Sequence, residues 1–260
     1  MFATAPGVAR HIDAQALALS TPRHADLTVM RIDHPSHLAG DVQEELLDSL
    51  MPVAASAFHQ APNRDFRRDV KDHIFKPRGL LIVYDGQGNP VAFRMWDFIT
   101  LKFLLGEDIL YLAGMCVRKD YQGQGIGEAL LRVVLNEDIR RSLPDAHAFV
   151  PLPLAPYVAL RTQNPVMKFC FDRATGVESY PRIGEATVPS DVQEVGAKVA
   201  GHANDHAFDP ATMISRGFYG HSLYGTPPVS PNPGYAELFG QLSPADGDSM
   251  ICVWRRQAAH

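Results

Sequence analysis

The stretch Val117-Arg-Lys-Asp-Tyr-Gln-Gly-Gln-Gly-Ile-Gly127 lies between an apolar run and a long amphipathic pattern. The preceding run, Asp108–Val117, is apolar enough for a central strand of a sheet. After the turn, residues 128–141 repeat apolar side chains on one helical face. Glycines in such a turn let successive backbone N–H groups converge on one point, and the helix directs the positive end of its dipole there. The stretch therefore predicts a strand, a turn and a helix that together bind an anion such as a pyrophosphate.

This turn differs from two better-known phosphate-binding patterns. Residues 123–127 lack the G-x-G-x-x-G spacing of dinucleotide-binding folds, and no Gly-Lys-Ser/Thr follows them as in a P-loop. A tight turn with no ligand is the alternative interpretation. A helix dipole contributes about 0.3–1 kcal/mol, whereas micromolar affinity needs about 8 kcal/mol. Further contacts along the ligand are therefore expected.

Composition indicates a globular protein and restricts its partners. Of the 260 residues, 46% are hydrophobic and 20% are charged, so the chain can bury a core. The net charge of −5 argues against nucleic-acid and anionic-membrane partners. We expect no membrane span and no signal peptide in residues 1–20. The three cysteines include no CxxC pair, so we expect neither disulfides nor a zinc ribbon, and a cytoplasmic location.

The order of elements predicts an α+β fold with one predominant sheet. Asp41-Val-Gln-Glu44 has the form of a capping box, so a helix is expected to begin near Asp41. Asn164 followed by Pro165 is a typical helix start. After Gly176 the periodicity weakens, and residues 225–234 (GTPPVSPNPG) indicate a long loop. Strands are expected at 27–32, 80–84, 91–101, 108–117, 146–152 and 249–255, and further helices at 128–141 and 164–173.

Residues 122–127 (QGQGIG) resemble the Q/R-x-x-G-x-G/A signature of the GCN5-related N-acetyltransferase (GNAT) superfamily. Val117, five residues before the signature, and Glu128-Ala-Leu-Leu131 after it also fit that pattern. The resemblance covers residues 27–176. It implies the GNAT fold, an α/β three-layer arrangement in which a mixed central sheet has helices on both faces.

The same resemblance divides the chain into three parts. Residues 27–176 would form an acyl-CoA-binding core, preceded by an N-terminal arm of residues 1–26. Residues 177–260 would form a C-terminal extension that packs on the core rather than a separate domain. The last strand of this extension, 249–255, would return to the core sheet.

The resemblance implies acetyl-CoA, or another short acyl-CoA, as the co-substrate, with no metal. Backbone amides of the glycine-rich turn would bind its pyrophosphate. A splay between the strands 108–117 and 146–152 would expose an edge of the strand 108–117. The pantetheine arm would pair with this edge as an added strand. The residues implied in cofactor binding are Met115, Cys116, Val117, Gln122, Gly123, Gln124, Gly125, Ile126, Gly127 and Asn164.

The acid that protonates the departing thiolate is left open. In the family a Tyr seven residues after the Asn takes this role, and here that position holds Phe171, which has no hydroxyl. A proton could come from Tyr157, from Cys170 or from water. The thiolate could also leave unprotonated, because a thiol with a pKa of about 8.5 is a fair leaving group.

A base is needed because a lysine-like amine has a pKa of about 10.4. Several family members carry a Glu on the strand before the turn, at a position that here holds Tyr111. Asp97 and Tyr111 are the preferred candidates. Glu107, Asp108 and His147 are the others, and each of these side chains could instead be a strand-end charge or a turn cap.

Two further chemistries have weaker support. His202 and His206 stand at i and i+4 with Asp205 and Asp209 nearby, which could bind a metal on a helix. The general base of the HExxH pattern is missing, so no metal is expected. Cys116 could relay the acyl group covalently, although a small buried side chain is its expected role.

Residues 216–225 (RGFYGHSLYG) interleave aromatic residues with glycines. They could form the acceptor pocket or a dimer contact, and the alternative is a hairpin that packs its aromatic rings on the core. The expected function is acetyl transfer by direct attack of an amine, with a small-molecule acceptor favoured over a protein and a homodimer left open. The alternatives are a non-catalytic acyl-CoA-binding regulatory module and decarboxylation on the same fold.

Overall fold

The computed structural model describes residues 9–12, 26–100, 108–135 and 155–256. The chain divides into two compact units. Unit 1 comprises Met1–Asp97 with Ala113–Phe149, and unit 2 comprises Phe98–Leu112 with Val150–His260. These boundaries differ from the division expected at residues 26 and 176, which stays a prediction.

The described residues form nine strands and six helices. The strands are β1 (Ala9–Ile12), β2 (Thr28–Asp33), β3 (Gly79–Tyr84), β4 (Pro90–Thr100), β5 (Asp108–Val117), β6 (Tyr157–Thr162), β7 (Phe208–Asp209), β8 (Ile214–Ser215) and β9 (Ser249–Arg255). The helices are α1 (Gly40–Phe58), α2 (Arg64–Phe75), α3 (Ile126–Leu135), α4 (Pro165–Thr175), α5 (Ser190–His202) and α6 (Pro233–Phe239). None of these helices combines the length and the apolar character that a membrane crossing requires.

Unit 1 is built on strands in the order β1-β2-β3-β4-β5. The first four pair antiparallel, and β1 lies inside the segment that was expected to be a loose arm. One face of the sheet packs against α1 and α2, with a core formed by Ile32, Leu46, Leu47, Leu50, Val70, Ile74, Leu80, Ile82, Phe93, Met95 and Cys116. Successive side chains of a strand point to opposite faces. Met115 therefore points away from this core, toward α3, so helices lie on both faces.

The start of α1 does not use the predicted capping box. Ala39 occupies the N-cap position without a side-chain hydrogen bond, and the helix begins at Gly40. Asp41 is therefore already inside the first turn, while the carboxylate of Glu44 pairs with Arg67 of α2. The predicted cap was wrong, although the predicted helix is confirmed. The sequence pattern did not reveal α2, because most of its residues are polar.

Unit 2 is built on strands in the order β5-β6-β9-β8-β7. β6 runs parallel to β5, with Ile109–Leu112 opposite Tyr157–Leu160. The strand that pairs with β5 is thus 157–162, and the expected strand 146–152 lies outside the described residues. β9 pairs antiparallel with β6 from Tyr157 to Thr162, which confirms the expected return of the terminal strand.

The helices of unit 2 correct the reading of the chain after Gly176. α4 begins as predicted, with Asn164 at its N-cap, and Gly176 with a φ of +72° is its C-cap. α6 begins at Pro233 inside the stretch 225–234 that was predicted as a loop, because Asn232 caps it. α5 was not predicted. Its core with the sheet contains Ile99, Ile109, Ala159, Tyr180, Val192, Val195, Val199, Ala200, Met213, Ile251 and Val253.

Candidate functional site

The predicted anion-binding turn lies in unit 1, between β5 and α3. Gly123 and Gly125 have φ values of +73° and +85°, a region that L side chains rarely adopt. A Cβ built on either residue would have no heavy atom within 4 Å, so open space lies beside both. The backbone conformation, and not crowding, therefore requires glycine at these two positions.

Two glutamine side chains stabilise the shape of this turn. Gln122 Nε2 donates to the carbonyl oxygen of Val117 at 2.9 Å. Gln124 Nε2 donates to the carbonyl oxygen of Asp120 at 2.8 Å. Both amides thus bind the backbone of the segment that links β5 to the turn. This arrangement gives the first Gln of the motif a structural role.

The start of α3 adds the electrostatic part of the site. The helix begins at Ile126, directly after the turn, and the N–H of Ala129 donates to Gly125 at 3.0 Å. The first N–H groups of an α-helix have no acceptor within the helix. They and the helix dipole place partial positive charge at the turn. An anion is the ligand that this arrangement favours.

The third glycine of the motif lies against β5. A Cβ on Gly127 would come within 2.8 Å of Met115 Cε, so a larger residue would require the Met115 side chain to move. Met115 Sδ in turn accepts from Arg94 Nη1 at 3.4 Å. Arg94 is fully buried on β4, and this burial lowers its pKa to about 9. A guanidinium with that pKa is still charged at neutral pH, so the side chain of Met115 contacts a buried cation.

Cys116 is part of the core of unit 1. Its side chain is buried, and burial raises the pKa of the thiol. The thiolate is the nucleophilic form of cysteine, so the environment disfavours covalent relay and supports a packing role. The neighbouring backbone of Met115 to Val117 lies beyond Ile109–Leu112, the stretch of β5 that pairs with β6.

The two preferred base candidates belong to different units. Asp97 of unit 1 has its carboxylate 3.7 Å from Arg78 Nε, and its side chain is 16% exposed. Tyr111 of unit 2 is half-buried, with its ring edge-on to His202 at a centroid distance of 6.1 Å. Both contacts are compatible with structural roles of Asp97 and Tyr111, so a part of either residue in catalysis stays a prediction. Of the other candidates, Asp108 begins β5, and Glu107 and His147 lie outside the described residues.

The second predicted cofactor element lies in unit 2, at the start of α4. Asn164 Oδ1 accepts from the N–H of Val166 at 2.8 Å, and its Nδ2 donates to Tyr224 Oη at 3.4 Å. Phe171 is fully buried, so this position contributes packing and no proton. The hydroxyl of Tyr157, another possible acid, donates to a carboxylate of α5 at 2.9 Å. The contact of Asn164 with a cofactor stays a prediction.

The histidine and aspartate residues near the end of α5 do not assemble a metal site. Asp205 accepts from Arg161 Nη1 at 2.7 Å and from the N–H of Ala207 at 3.1 Å. His202 packs against Tyr111. Within the ranges that the structure describes, no three His, Cys, Asp or Glu side chains are grouped to hold a metal ion.

The aromatic segment 216–225 forms turns and bends and no paired strands, so the alternative of a hairpin does not hold. Gly217 and Gly220 have φ values of +62° and +68°, which reverse the chain within the segment. The ring of Phe218 lies over the guanidinium of Arg161, with its centroid 3.6 Å from Cζ. Sequence reasoning missed Arg161 and the buried arginine of β4. The sequence signal that could have identified each arginine is a charged residue inside a mostly apolar strand.

Similar solved structures include several acetyltransferases. A probable N-acyltransferase from Enterococcus faecalis is 11% identical over 58% of this chain and 32% of its own, with a TM-score of 0.39. A GCN5-related N-acetyltransferase from Kribbella flavida is 25% identical over 53% of this chain and 30% of its own, with a TM-score of 0.34. The ribosomal-protein-alanine N-acetyltransferase from Brucella melitensis is 19% identical over 45% of this chain and 76% of its own, with a TM-score of 0.33. The chain spans less than a third of the length of the first two.

The comparison with family models locates the resemblance within the chain. The model of the acetyltransferase (GNAT) family matches residues 43–149, which lie inside the range 27–176 expected from the motif. None of the curated proteins compared with the chain matches it. The matched segment contains the Gln122–Gly127 turn and the buried strand before it. Residues 43–149, which make up less than half of the chain, therefore match the acetyltransferase (GNAT) family.

Proposed function

We propose that the chain is an acyl-CoA-dependent N-acyltransferase that moves an acetyl group from acetyl-CoA to a small-molecule amine. The observation that carries the proposal is the geometry of the Gln122–Gly127 turn. Its positive-φ glycines lie beside open space at the N-terminus of α3, where a pyrophosphate would meet backbone N–H donors. The buried guanidinium of Arg94 adds positive charge on the same side of β5.

The proposed chemistry is a direct attack with both substrates bound. The amine first loses a proton to a base, for which Asp97 and Tyr111 are the candidates. The amine nitrogen then forms a bond to the thioester carbonyl carbon, and the carbon–sulfur bond breaks. Backbone N–H groups of β5 near Cys116 would stabilise the oxyanion between these steps. The CoA thiolate would take its proton from solvent, since Phe171 offers none.

The substitution Gly125→Asp tests the pyrophosphate site. It adds bulk and a negative charge where the pyrophosphate would lie, so the affinity for acetyl-CoA should fall at least about tenfold, or 1.4 kcal/mol. Isothermal titration calorimetry measures this affinity. Gly88→Asp is the matched control, because Gly88 has a φ of +81° and also has no heavy atom within 4 Å of a built Cβ. Gly88 lies in the turn between β3 and β4, so its variant should bind acetyl-CoA like the wild type.

An unchanged affinity in folded Gly125→Asp would refute the cofactor site. An equal loss in both variants would also count against it, because backbone strain common to the two positive-φ positions would then be the cause. The control thus separates the effect of charge at the turn from the general cost of replacing such a glycine.

A non-catalytic acyl-CoA-binding module is the second candidate function. The burial of Phe171 favours it, because this position can supply no acid. The presence of Tyr111 in place of a strand carboxylate favours it too. A melting shift with CoA, measured beside transfer to a panel of amines, distinguishes the two functions. A shift without turnover on any amine would identify the binding module.

A further inference from the structure

Arg161 of β6 is a buried arginine whose donors are only partly used. Its side chain is 2% exposed. Nη1 donates to Asp205 at 2.7 Å, to Ser215 Oγ at 2.8 Å and to Ser249 Oγ at 3.3 Å. Nε and Nη2 are both buried, and neither has a hydrogen-bond partner among the described residues.

The two unused nitrogens have a defined geometry. Nε–H and one N–H of Nη2 point in parallel from the same edge of the planar guanidinium. This edge matches the two oxygens of a carboxylate, and such bidentate pairs are among the strongest hydrogen bonds in proteins. Buried donors without acceptors are rare in native structures. The edge is therefore shaped for an acceptor that the described part of the chain does not provide.

The side chains that interact with Arg161 include the carboxylate of Asp205 and the phenol of Tyr219. The carboxylate of Asp205 is already engaged by Arg161, Ser215 and the N–H of Ala207. Burial raises the pKa of Tyr219, so its phenol remains a protonated donor at neutral pH, and this phenol interacts electrostatically with those of Tyr111 and Tyr224. A ligand with acceptor oxygens complements these groups, and a second cation does not.

The cover over the guanidinium comes from the aromatic segment 216–225. Phe218, which stacks on the guanidinium of Arg161, is itself half-buried. The segment is held on both sides of this ring, because the N–H of Gly217 donates to Asp248 at 2.9 Å and the N–H of Leu223 donates to Gln163 at 2.9 Å.

We propose that Arg161 binds a carboxylate of the acceptor, so that the substrate is an amine that also carries a carboxylate, as an amino acid does. This inference rests on the proposed N-acyltransferase function. It adds a class of acceptor and a specificity-determining residue. Tyr111, a candidate for the base, lies on β5 opposite Ala159 of β6. Ala159 is two residues before Arg161, so the side chains of these two residues lie on the same face of β6.

The test compares matched carboxylates and amides as ligands. N-acetylglycine, N-acetylleucine and N-acetylphenylalanine, the products expected from three amino acids, are titrated beside their C-terminal amides, with and without CoA. In the wild type each acid should bind at least about tenfold more tightly than its amide, because only the acid pairs with both nitrogens. Equal binding of acids and amides, or no binding of either up to about 10 mM, would overturn the proposal.

Two variants assign the preference to Arg161. Arg161→Lys keeps a cation opposite Asp205 but removes the two-nitrogen edge, so the preference for the acid should fall below about threefold. Arg255→Lys is the control, because Arg255 also pairs through Nη1 with an aspartate, Asp191, at 2.9 Å but is half-exposed. The control should keep the full preference. A preference that survives in Arg161→Lys would place the carboxylate elsewhere.

The same titrations separate this inference from the proposed function. CoA binding is measured in the same samples. If the wild-type protein prefers acids over amides but does not bind CoA, the acyltransferase function alone is refuted. Normal CoA binding and turnover of amines without any preference for acids would refute the carboxylate site alone.

Discussion

Lys168 of α4 is a fully buried cation in the core of unit 2. Its Nζ donates to Asp172 at 2.8 Å and to the carbonyl oxygen and the hydroxyl of Ser179 at 2.8 and 3.0 Å. Asp172 also accepts from the hydroxyl of Tyr235 at 2.9 Å. Removing one partner of a buried ion pair leaves the other charge uncompensated. Lys168→Met should therefore lower the free energy of unfolding by about 3 kcal/mol, as measured by urea denaturation.

An exposed pair with the same chemistry serves as the control. Lys76 and Asp72 are also four residues apart, with Nζ 2.8 Å from the carboxylate, but their side chains are 74% and 50% exposed. Solvent screens such a pair, and its contribution is small. Lys76→Met should leave the unfolding midpoint nearly unchanged. Similar losses in both variants would mean that burial does not decide the strength of the pair.

The N-terminus of α1 lacks a side-chain cap, whereas α2, α4 and α6 each have one. Asn63, Asn164 and Asn232 each accept a backbone N–H at the starts of α2, α4 and α6. Ala39 occupies the same position on α1 with φ −57° and ψ +148°, a conformation that an aspartate can adopt. Ala39→Asp should raise the free energy of unfolding by about 0.5–1 kcal/mol. Urea denaturation tests this, and a loss of stability would show that the cap geometry is unsuited to a side chain.

Acid should destabilise the protein through its paired carboxylates. Burial alone would raise the pKa of Asp205, but hydrogen bonds from Ser215 and Arg161 outweigh burial and lower it below the ordinary value of 3.8. Similar bonds lower the pKa of Asp191 and Asp248. A carboxyl with a lowered pKa in the folded state stabilises the fold above its unfolded pKa, and that contribution is lost as the pH falls through the folded pKa. Protonation also leaves 24 lysine and arginine residues and 11 histidines without negative counter-charges.

The substitution Asp205→Asn isolates one of these contributions. The difference in unfolding free energy between wild type and variant should be largest near pH 6 and should shrink as the pH falls toward about 2. Below the ordinary pKa of 3.8 the unfolded chain binds the proton first, and the remaining contribution is lost as the pH passes through the lowered pKa of the folded state. Urea titrations across this range measure the difference. A difference that does not change with pH would show that the charge of Asp205 contributes nothing to stability.

The sequence by itself determined the features that depend on neighbours along the chain. The strands from β2 to β5, the turn at Gln122–Gly127 and the start of α4 follow from apolar patterns, glycines and a cap, which act within a few residues. The tertiary structure alone decided which strands are neighbours: β6 lies beside β5, and β1 joins the sheet of unit 1. It also decided that Phe218 stacks on Arg161 and that two nitrogens of this arginine lack acceptors in the part of the chain that the structure describes. The physical reason is that strand pairing and the balance of buried charges depend on groups far apart in sequence, whose approach no local pattern records.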